Sequence, residues 1–185
     1  MKLVVLDRDG VINRDSPEYV KSAREFVPLP GSLEAIGRLV EGGWTVTIAS
    51  NQSGVGRGLF TLENLADMQA KLQAELVAFG GHIEGFFYCP HTPRSHCDCR
   101  KPKDGLLRQI GERFNTAMQG VPVIGDSLRD LEAAWSVDAR AMLVMTGNGK
   151  RTRAELDDGE FPETETYASL GDAADALLSA EEAPA

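Results

Sequence analysis

The stretch Leu6-Asp7-Arg8-Asp9-Gly10 sets two carboxylates two residues apart, directly after the apolar run Leu3-Val4-Val5-Leu6. If that run is a strand ending here, Asp7 and Asp9 face one site and the intervening Arg8 projects elsewhere. Carboxylates this close repel one another unless a hard cation lies among them, and Mg²⁺ suits a few carboxylates shared with water and a substrate phosphate. With the charge so balanced, Asp7 is able to act as an ionised nucleophile and Asp9 to exchange protons. The plainer reading of the same residues is a polar turn after a strand.

Two further apolar runs end in comparable chemistry. Ser50-Asn51-Gln52-Ser53-Gly54 offers hydroxyl, amide and backbone donors suited to phosphoryl oxygens, although a flexible loop would have the same composition. Ile124-Gly125-Asp126-Ser127-Leu128-Arg129-Asp130 puts Asp126 at a strand end and Asp130 on a first helical turn. Taken alone, that motif reads better as a cap or a helix-dipole acid. Lys101, kept out of a helix by Pro102, is placed to offer its ammonium to a transferring phosphate, where most lysines are simply solvated.

All three cysteines and two of the three histidines fall between positions 89 and 102. Three cysteines cannot complete a disulfide framework, so metal binding or thiolate chemistry in a reducing compartment is the better fit. Cys89-x-His91, five residues, then Cys97-x-Cys99 supplies three thiolates and an imidazole, the composition of a closed structural zinc site. His96 is an alternative to His91, and the cysteines as small apolar fillers are the alternative to a metal.

Elements must hold these residues in place. Val- and Ile-rich runs alternate with stretches of helical period, the pattern of a doubly wound α/β fold with a parallel sheet. Strands are predicted at Lys2–Asp7, Thr45–Ser50, Ile83–Tyr88, Val121–Gly125 and Arg140–Met145. Helices are predicted from Ser32 to Gly42-Gly43, from a Thr61 cap through Phe79, over about Leu106–Ala117, from a Ser127 cap to about Ser136, and over Leu170–Ala180. Asn64 stands where a capping box prefers Glu or Gln. A frayed tail is expected at 181–185, and Thr146-Gly147-Asn148-Gly149-Lys150 reads as a plain turn. Ligands of open α/β sheets bind beyond the carboxyl ends of the strands, which is where Asp7, Ser50 and Asp126 converge.

At 185 residues the chain fits one domain spanning 1–185, with the 89–104 loop as an insertion. A net charge of −9 argues against a sequence-independent hold on nucleic acid, yet leaves room for an anionic small substrate where basic residues gather locally. No leader of basic, apolar and small residues precedes the first strand, and no apolar run is long enough to span a bilayer. A cytoplasmic, monomeric protein without nucleic-acid or membrane partners is expected.

In order, LDRDGVIN, SNQSG, RKP and IGDSLRD resemble the four motifs of the haloacid dehalogenase superfamily of phosphatases, over roughly Met1 to Gly149. That resemblance implies that Asp7 attacks phosphorus and that Asp9 protonates the leaving oxygen and then activates water. It further implies that Ser50, Lys101 and the following Asn51, Gln52 and Ser53 steady the phosphoryl group, and that Asp7, the Asp9 carbonyl and Asp126 hold Mg²⁺. The segments DRDGVIN, NQSG, CPH, CDCRKP and TGNG are similar to those of the D-glycero-D-manno-heptose 1,7-bisphosphate 7-phosphatase family, whose zinc loop replaces a large cap domain. This second likeness implies zinc on Cys89, His91, Cys97 and Cys99, Arg100 on the phosphate that is kept, and Asp15 and Tyr19 near the sugar. It places the enzyme in heptose supply for lipopolysaccharide or other surface glycans. The interval from His91 to Cys97 is short beside many family members, which bears on the cleft wall.

Three other readings compete. A similar loop in the phosphatase domain of the histidine pathway makes histidinol phosphate the nearest competing substrate. A phospho-acceptor signalling domain shares the acidic site and lysine, but requires its Asp on a middle strand and no acid two residues beyond. A zinc-dependent interaction module leaves the carboxylates unexplained.

Overall fold

Strand β1, Lys2–Leu6, has its last four residues buried, with Val4 and Leu6 in one hydrophobic cluster and Leu3 and Val5 in another. That alternation is what a strand covered on both faces requires. Around it the computed structural model, which describes residues 1–159 and 161–182, places β2 (Trp44–Asn51), β3 (Gly85–Cys89), β4 (Pro122–Gly125), β5 (Arg140–Val144) and β6 (Glu165–Tyr167). All pair in parallel, in the order β3-β2-β1-β4-β5-β6. The order reverses between β1 and β4, where Leu6 lies opposite Ile124, and a crevice opens beyond such a switch point.

Helices α1 (Ser32–Glu41), α3 (Leu62–Leu76) and α7 (Leu170–Glu182) cover one face, while α4 (Gly105–Phe114), α5 (Leu128–Trp135) and α6 (Gly149–Asp158) cover the other. A single turn, α2 (Ser53–Gly56), follows β2. Asn64 does complete the capping box of α3: its Oδ1 accepts the Thr61 N–H at 3.0 Å, and its own N–H reaches Thr61 Oγ1 at 3.2 Å.

Several expected boundaries move. β3 begins two residues late and runs to Cys89, so the first cysteine stands on a strand end. α4 stops at Phe114, three residues early, because Asn115 turns left-handed (φ 49°) and Thr116 donates its N–H to the Gly111 carbonyl. Helix α3 gives way to a tighter turn at 77–79. α6 and β6 were not expected at all: α6 buries only Gly149, Thr152 and Leu156 of its ten residues, and β6 is a three-residue edge strand. The expected tail begins inside α7, which continues to Glu182, and positions 183–185 lie outside the described residues. Among the described residues, no helix is long and apolar enough to cross a membrane.

Candidate active site

Asp7 leaves the end of β1 with its N–H bonded to the Ile124 carbonyl of β4, so its side chain stands at the switch point. Lys101 Nζ reaches it at 3.0 Å, reaches Asp130 Oδ1 at 2.5 Å, and donates to the Ala49 carbonyl at 2.7 Å. The Lys101 side chain is 5 % exposed, and its backbone is held from both sides by Asn51, whose Oδ1 accepts the Lys101 N–H at 3.1 Å and whose Nδ2 donates to the Lys101 carbonyl at 3.0 Å. Asp126, buried at the end of β4, accepts at Oδ2 the Asn148 N–H at 2.7 Å and Nδ2 at 3.1 Å. Carboxylate oxygens of Asp7, Asp126 and Asp130 lie within 4.8 Å of one another.

Burial pushes the Asp7 carboxyl up to about 7, with Lys101 opposing and Asp130, Asp126 and Asp9 reinforcing. Burial likewise raises Asp126 to about 6, aided by the Asp130 charge. Burial alone would also raise Asp130, but the Lys101 ammonium holds it below the ordinary carboxylate range. Three carboxylates against one ammonium leave two negative charges uncompensated, a donor set of hard oxygens that fits a divalent cation such as Mg²⁺. Both oxygens of Asp130 are already engaged, by Lys101 and by the N–H and hydroxyl of Ser127, so the excess falls on Asp7 and Asp126.

The cleft above these groups, about 250 Å³, is also lined by Asp9, Asp15, Tyr19, Ser50, Asn51, Gln52, Ser53, Arg100, Arg129 and Asn148. Every residue expected at a phosphoryl site is therefore brought to one place. Their tasks differ from expectation in part. The amide of Gln52 is spent inside the protein, donating to Asp9 Oδ2 at 3.0 Å and Ser50 Oγ at 2.8 Å, just as Asn51 is spent on Lys101. Arg8 packs on Met68 and Phe26, away from the cleft lining, yet its Nη2 lies 2.9 Å from Asp9 Oδ2, because the chain leaves the strand at Asp7 and coils around the Arg8 carbonyl. The 146–150 segment is no plain turn, since Asn148 bonds both Asp126 and Asp15, and Thr146 Oγ1 donates to the Gly10 carbonyl at 2.6 Å. Arg129 was not singled out from the sequence. Its place three residues beyond Asp126, on the first turn of α5, acquires meaning only once the loop bearing Arg100 is folded against it.

Beside the cleft, Cys89, His91, Cys97 and Cys99 bring one ligand atom each within 4.8 Å of one another. His91 Nδ1 is 3.6 Å from Cys89 Sγ and 3.3 Å from Cys99 Sγ, and Cys89 Sγ is 3.6 Å from Cys97 Sγ. In a tetrahedral zinc site with bonds of about 2.0–2.3 Å, ligand atoms stand roughly 3.3–3.8 Å apart, so the spacing suits that ion. His91, not His96, joins the cluster; His96 is exposed in a left-handed turn.

Fold and site together define a phosphatase of the haloacid dehalogenase type, a hydrolase of phosphoric monoesters. A family model described as "HAD-hyrolase-like" matches residues 98–173. The chain is 51 % identical over 164 residues to the D-glycero-beta-D-manno-heptose-1,7-bisphosphate 7-phosphatase of Pseudomonas putida, covering 89 % of this chain and 91 % of that one. To the enzyme of the same name from Neisseria meningitidis it is 44 % identical over 185 residues, with 100 % and 98 % coverage. The crystal structure of D,D-heptose 1,7-bisphosphate phosphatase from Bordetella bronchiseptica, complexed with magnesium and phosphate, superposes with a TM-score of 0.93 at 47 % identity, covering 99 % of this chain and all (100 %) of that one. The chain belongs to the D-glycero-D-manno-heptose 1,7-bisphosphate 7-phosphatase family.

The raised carboxyls carry a linkage. A group whose folded value lies above its unfolded value stabilises the fold fully below the unfolded value and loses that contribution as pH rises through the folded one. For Asp7 and Asp126 the window runs from 3.8 to about 7 and about 6 respectively. In Mg²⁺-free buffer with zinc retained, the melting midpoint is expected to fall between about pH 5 and about pH 7 and to level off above, and Asp7→Asn or millimolar Mg²⁺ to flatten that slope. Thermal denaturation across that range checks it; a midpoint indifferent to both changes contradicts the reading.

Proposed function

We propose that this protein is an Mg²⁺-dependent phosphatase that removes the 7-phosphate of D-glycero-β-D-manno-heptose 1,7-bisphosphate, in the supply of heptose for lipopolysaccharide or other surface glycans. The observation that carries the chemistry is Asp7 at the strand end, paired with a buried lysine and facing Asp126 across an excess of negative charge. The β anomer is the one named for the Pseudomonas putida and Neisseria meningitidis relatives.

Asp7 attacks phosphorus to form an aspartyl-phosphate, and Asp9 protonates the departing sugar oxygen, then takes the proton of the attacking water. Lys101 and Ser50 hold phosphoryl oxygens, and Asn51, Gln52 and Ser53 line the wall of the cleft beside them. Asp7, the Asp9 carbonyl and Asp126 hold Mg²⁺, which supplies charge neutralisation at the phosphoryl oxygens. Phosphoryl transfer asks chiefly for positioning and charge balance, and these residues provide both.

Arg100 and Arg129 receive the phosphate that is kept. Both line the cleft, no carboxylate within salt-bridge distance is found for either among the described residues, and the charge of Arg129, after burial, pulls the Arg100 guanidinium below its ordinary value. Two like charges facing one space are a receptor for an anion. Asp15 and Tyr19 lie on the sugar side. Zinc on Cys89, His91, Cys97 and Cys99 stiffens the loop that ends in Arg100 and Lys101.

With Mg²⁺ present, phosphate release is expected from the 7-position of the β anomer in preference to the α anomer and to histidinol phosphate, while Asp7→Asn folds and releases none. Preference for histidinol phosphate overturns the substrate, and turnover by Asp7→Asn overturns the nucleophile. Arg129→Ala is expected to raise KM for the bisphosphate by about tenfold with kcat little changed, the loss of one charge-assisted contact; an unchanged KM removes Arg129 from the subsite. Elemental analysis is expected to give about one zinc per chain, the capacity of a single four-ligand site. A zinc-free preparation that remains folded and fully active refutes the structural metal.

A further inference from the structure

Arg8 is a buried charged residue, bonded to Asp9, to which the reaction as drawn assigns nothing. It is 3 % exposed, with Nη1 3.7 Å from Met68 Sδ and its guanidinium carbon 6.0 Å from the Phe26 ring centroid. Its polar edge is turned wholly on one partner. Nε donates to Asp9 Oδ1 at 3.2 Å, and Nη2 donates to Oδ1 and Oδ2, each at 2.9 Å. Asn13 Nδ2 adds a bond to Oδ1 at 2.8 Å and Gln52 Nε2 one to Oδ2 at 3.0 Å. The Arg8 carbonyl meanwhile accepts the N–H groups of Val11, Ile12 and Asn13 at 3.4, 2.8 and 3.2 Å, so one residue fixes both the loop and the carboxyl group beside it.

We propose that Arg8 is the positioning residue of the proton donor: its planar fork sets the rotation of the Asp9 carboxyl group and keeps the outer edge of that group toward the cleft. A guanidinium is suited to this because its donors are coplanar and it stays charged when desolvated. Wedged between Met68 and Phe26, it has no freedom to follow Asp9 if the carboxyl turns. The inference rests on the phosphoryl-transfer reading above. In the first step an Asp7 oxygen bonds to phosphorus as the bond to the leaving oxygen breaks. That oxygen keeps the electron pair, takes the proton of the Asp9 carboxyl and departs as an alcohol. In the second, water attacks phosphorus, its proton passes to Asp9, and Asp7 and inorganic phosphate are released. A misaligned Asp9 therefore harms the first step only where the leaving oxygen needs a proton.

The test compares kcat/KM for the heptose bisphosphate, whose leaving group is an alkoxide, with that for p-nitrophenyl phosphate, whose leaving group departs unprotonated. Arg8→Met keeps the apolar packing and is expected to lose about 100-fold on the sugar phosphate and less than about threefold on the aryl ester, the scale of general-acid assistance. Arg8→Lys is expected to show the same pattern more weakly, and it decides the matter if Arg8→Met does not fold. In an Asp9→Asn background, Arg8→Met is expected to add almost nothing on the sugar phosphate, because positioning acts only through a carboxyl able to donate. Equal losses on both esters, no loss, or a full additional loss in the Asp9→Asn background each overturn the proposal. A wild-type protein inactive on the sugar phosphate sinks the phosphatase reading instead.

Discussion

Lys101 is an ammonium with almost no water around it, and the edge of the sheet is arranged to make that tolerable. Withdrawing one such charge from solvent costs several kcal/mol, an amount recovered only when good partners replace the water. Asp7 arrives from β1, Asp130 from α5 and the Ala49 carbonyl from β2, so a single cation ties three elements that are far apart in sequence. Burial would pull the lysine toward neutrality, but Asp130 and Asp7 outweigh it and hold the ammonium above the ordinary lysine range. The charge is thus permanent at any working pH, and it keeps its two carboxylates within reach of a third, Asp126.

Asp126 survives in that crowd because two loops give way to it. A Cβ at Gly10 or at Gly147 would come within 2.1 Å of Asp126 Oδ2, and both glycines sit in the left-handed region, at φ 85° and 55°. No side chain is accommodated at either point without displacing the carboxylate. The loop after β1 and the loop after β5 therefore close on Asp126 from opposite sides, and the Thr146 hydroxyl bonded to the Gly10 carbonyl locks one to the other. Asn148, the residue after Gly147, then donates both its N–H and its side-chain amide to Asp126 Oδ2. A segment that reads as a turn is in fact a wall of the site.

The convergence of the candidate set was legible in the sequence wherever strand periodicity carried it. Asp7, Ser50 and Asp126 end apolar runs, and a parallel sheet must bring such ends to one edge. Side-chain direction was legible in part: alternation sends Arg8 away from the cleft, and it does pack on Met68 and Phe26, but β1 is over by Leu6 and the loop geometry brings its guanidinium onto Asp9 as well. Asn51 and Gln52 were read by composition as ligands of phosphate, and composition does not distinguish a donor aimed at substrate from one buttressing Lys101 or Asp9. α6 escaped notice because a helix with so few buried positions shows no apolar period, and β6 because three residues are too short for one.

The cysteine loop shows why the chemistry and the selectivity of this site have different foundations. Asp7 and Asp126 directly follow β1 and β4 and Asp130 stands on α5, elements whose positions are fixed by two hydrophobic layers. Arg100 stands on a stretch that meets those layers through the half-buried Cys97 and Cys99. β2 is joined to the loop by Gln52 N–H on the Cys89 carbonyl at 2.7 Å and α2 by Gly56 N–H on the Pro90 carbonyl at 2.9 Å, both at the near end, while Lys103 Nζ on the Cys97 carbonyl at 2.7 Å and Gly105 N–H on the Asp98 carbonyl at 3.2 Å tie its middle to the start of α4. At the far end the Asn51 amide grips Lys101. Between those anchors Cys89, His91, Cys97 and Cys99 gather one ligand atom each within 4.8 Å, beside the place where Arg100 and Arg129 line one cleft. A loop of this length has few apolar residues to pack, so a metal on that cluster, as proposed above, would hold Arg100 against Arg129 and with it the shape of substrate the same edge accepts.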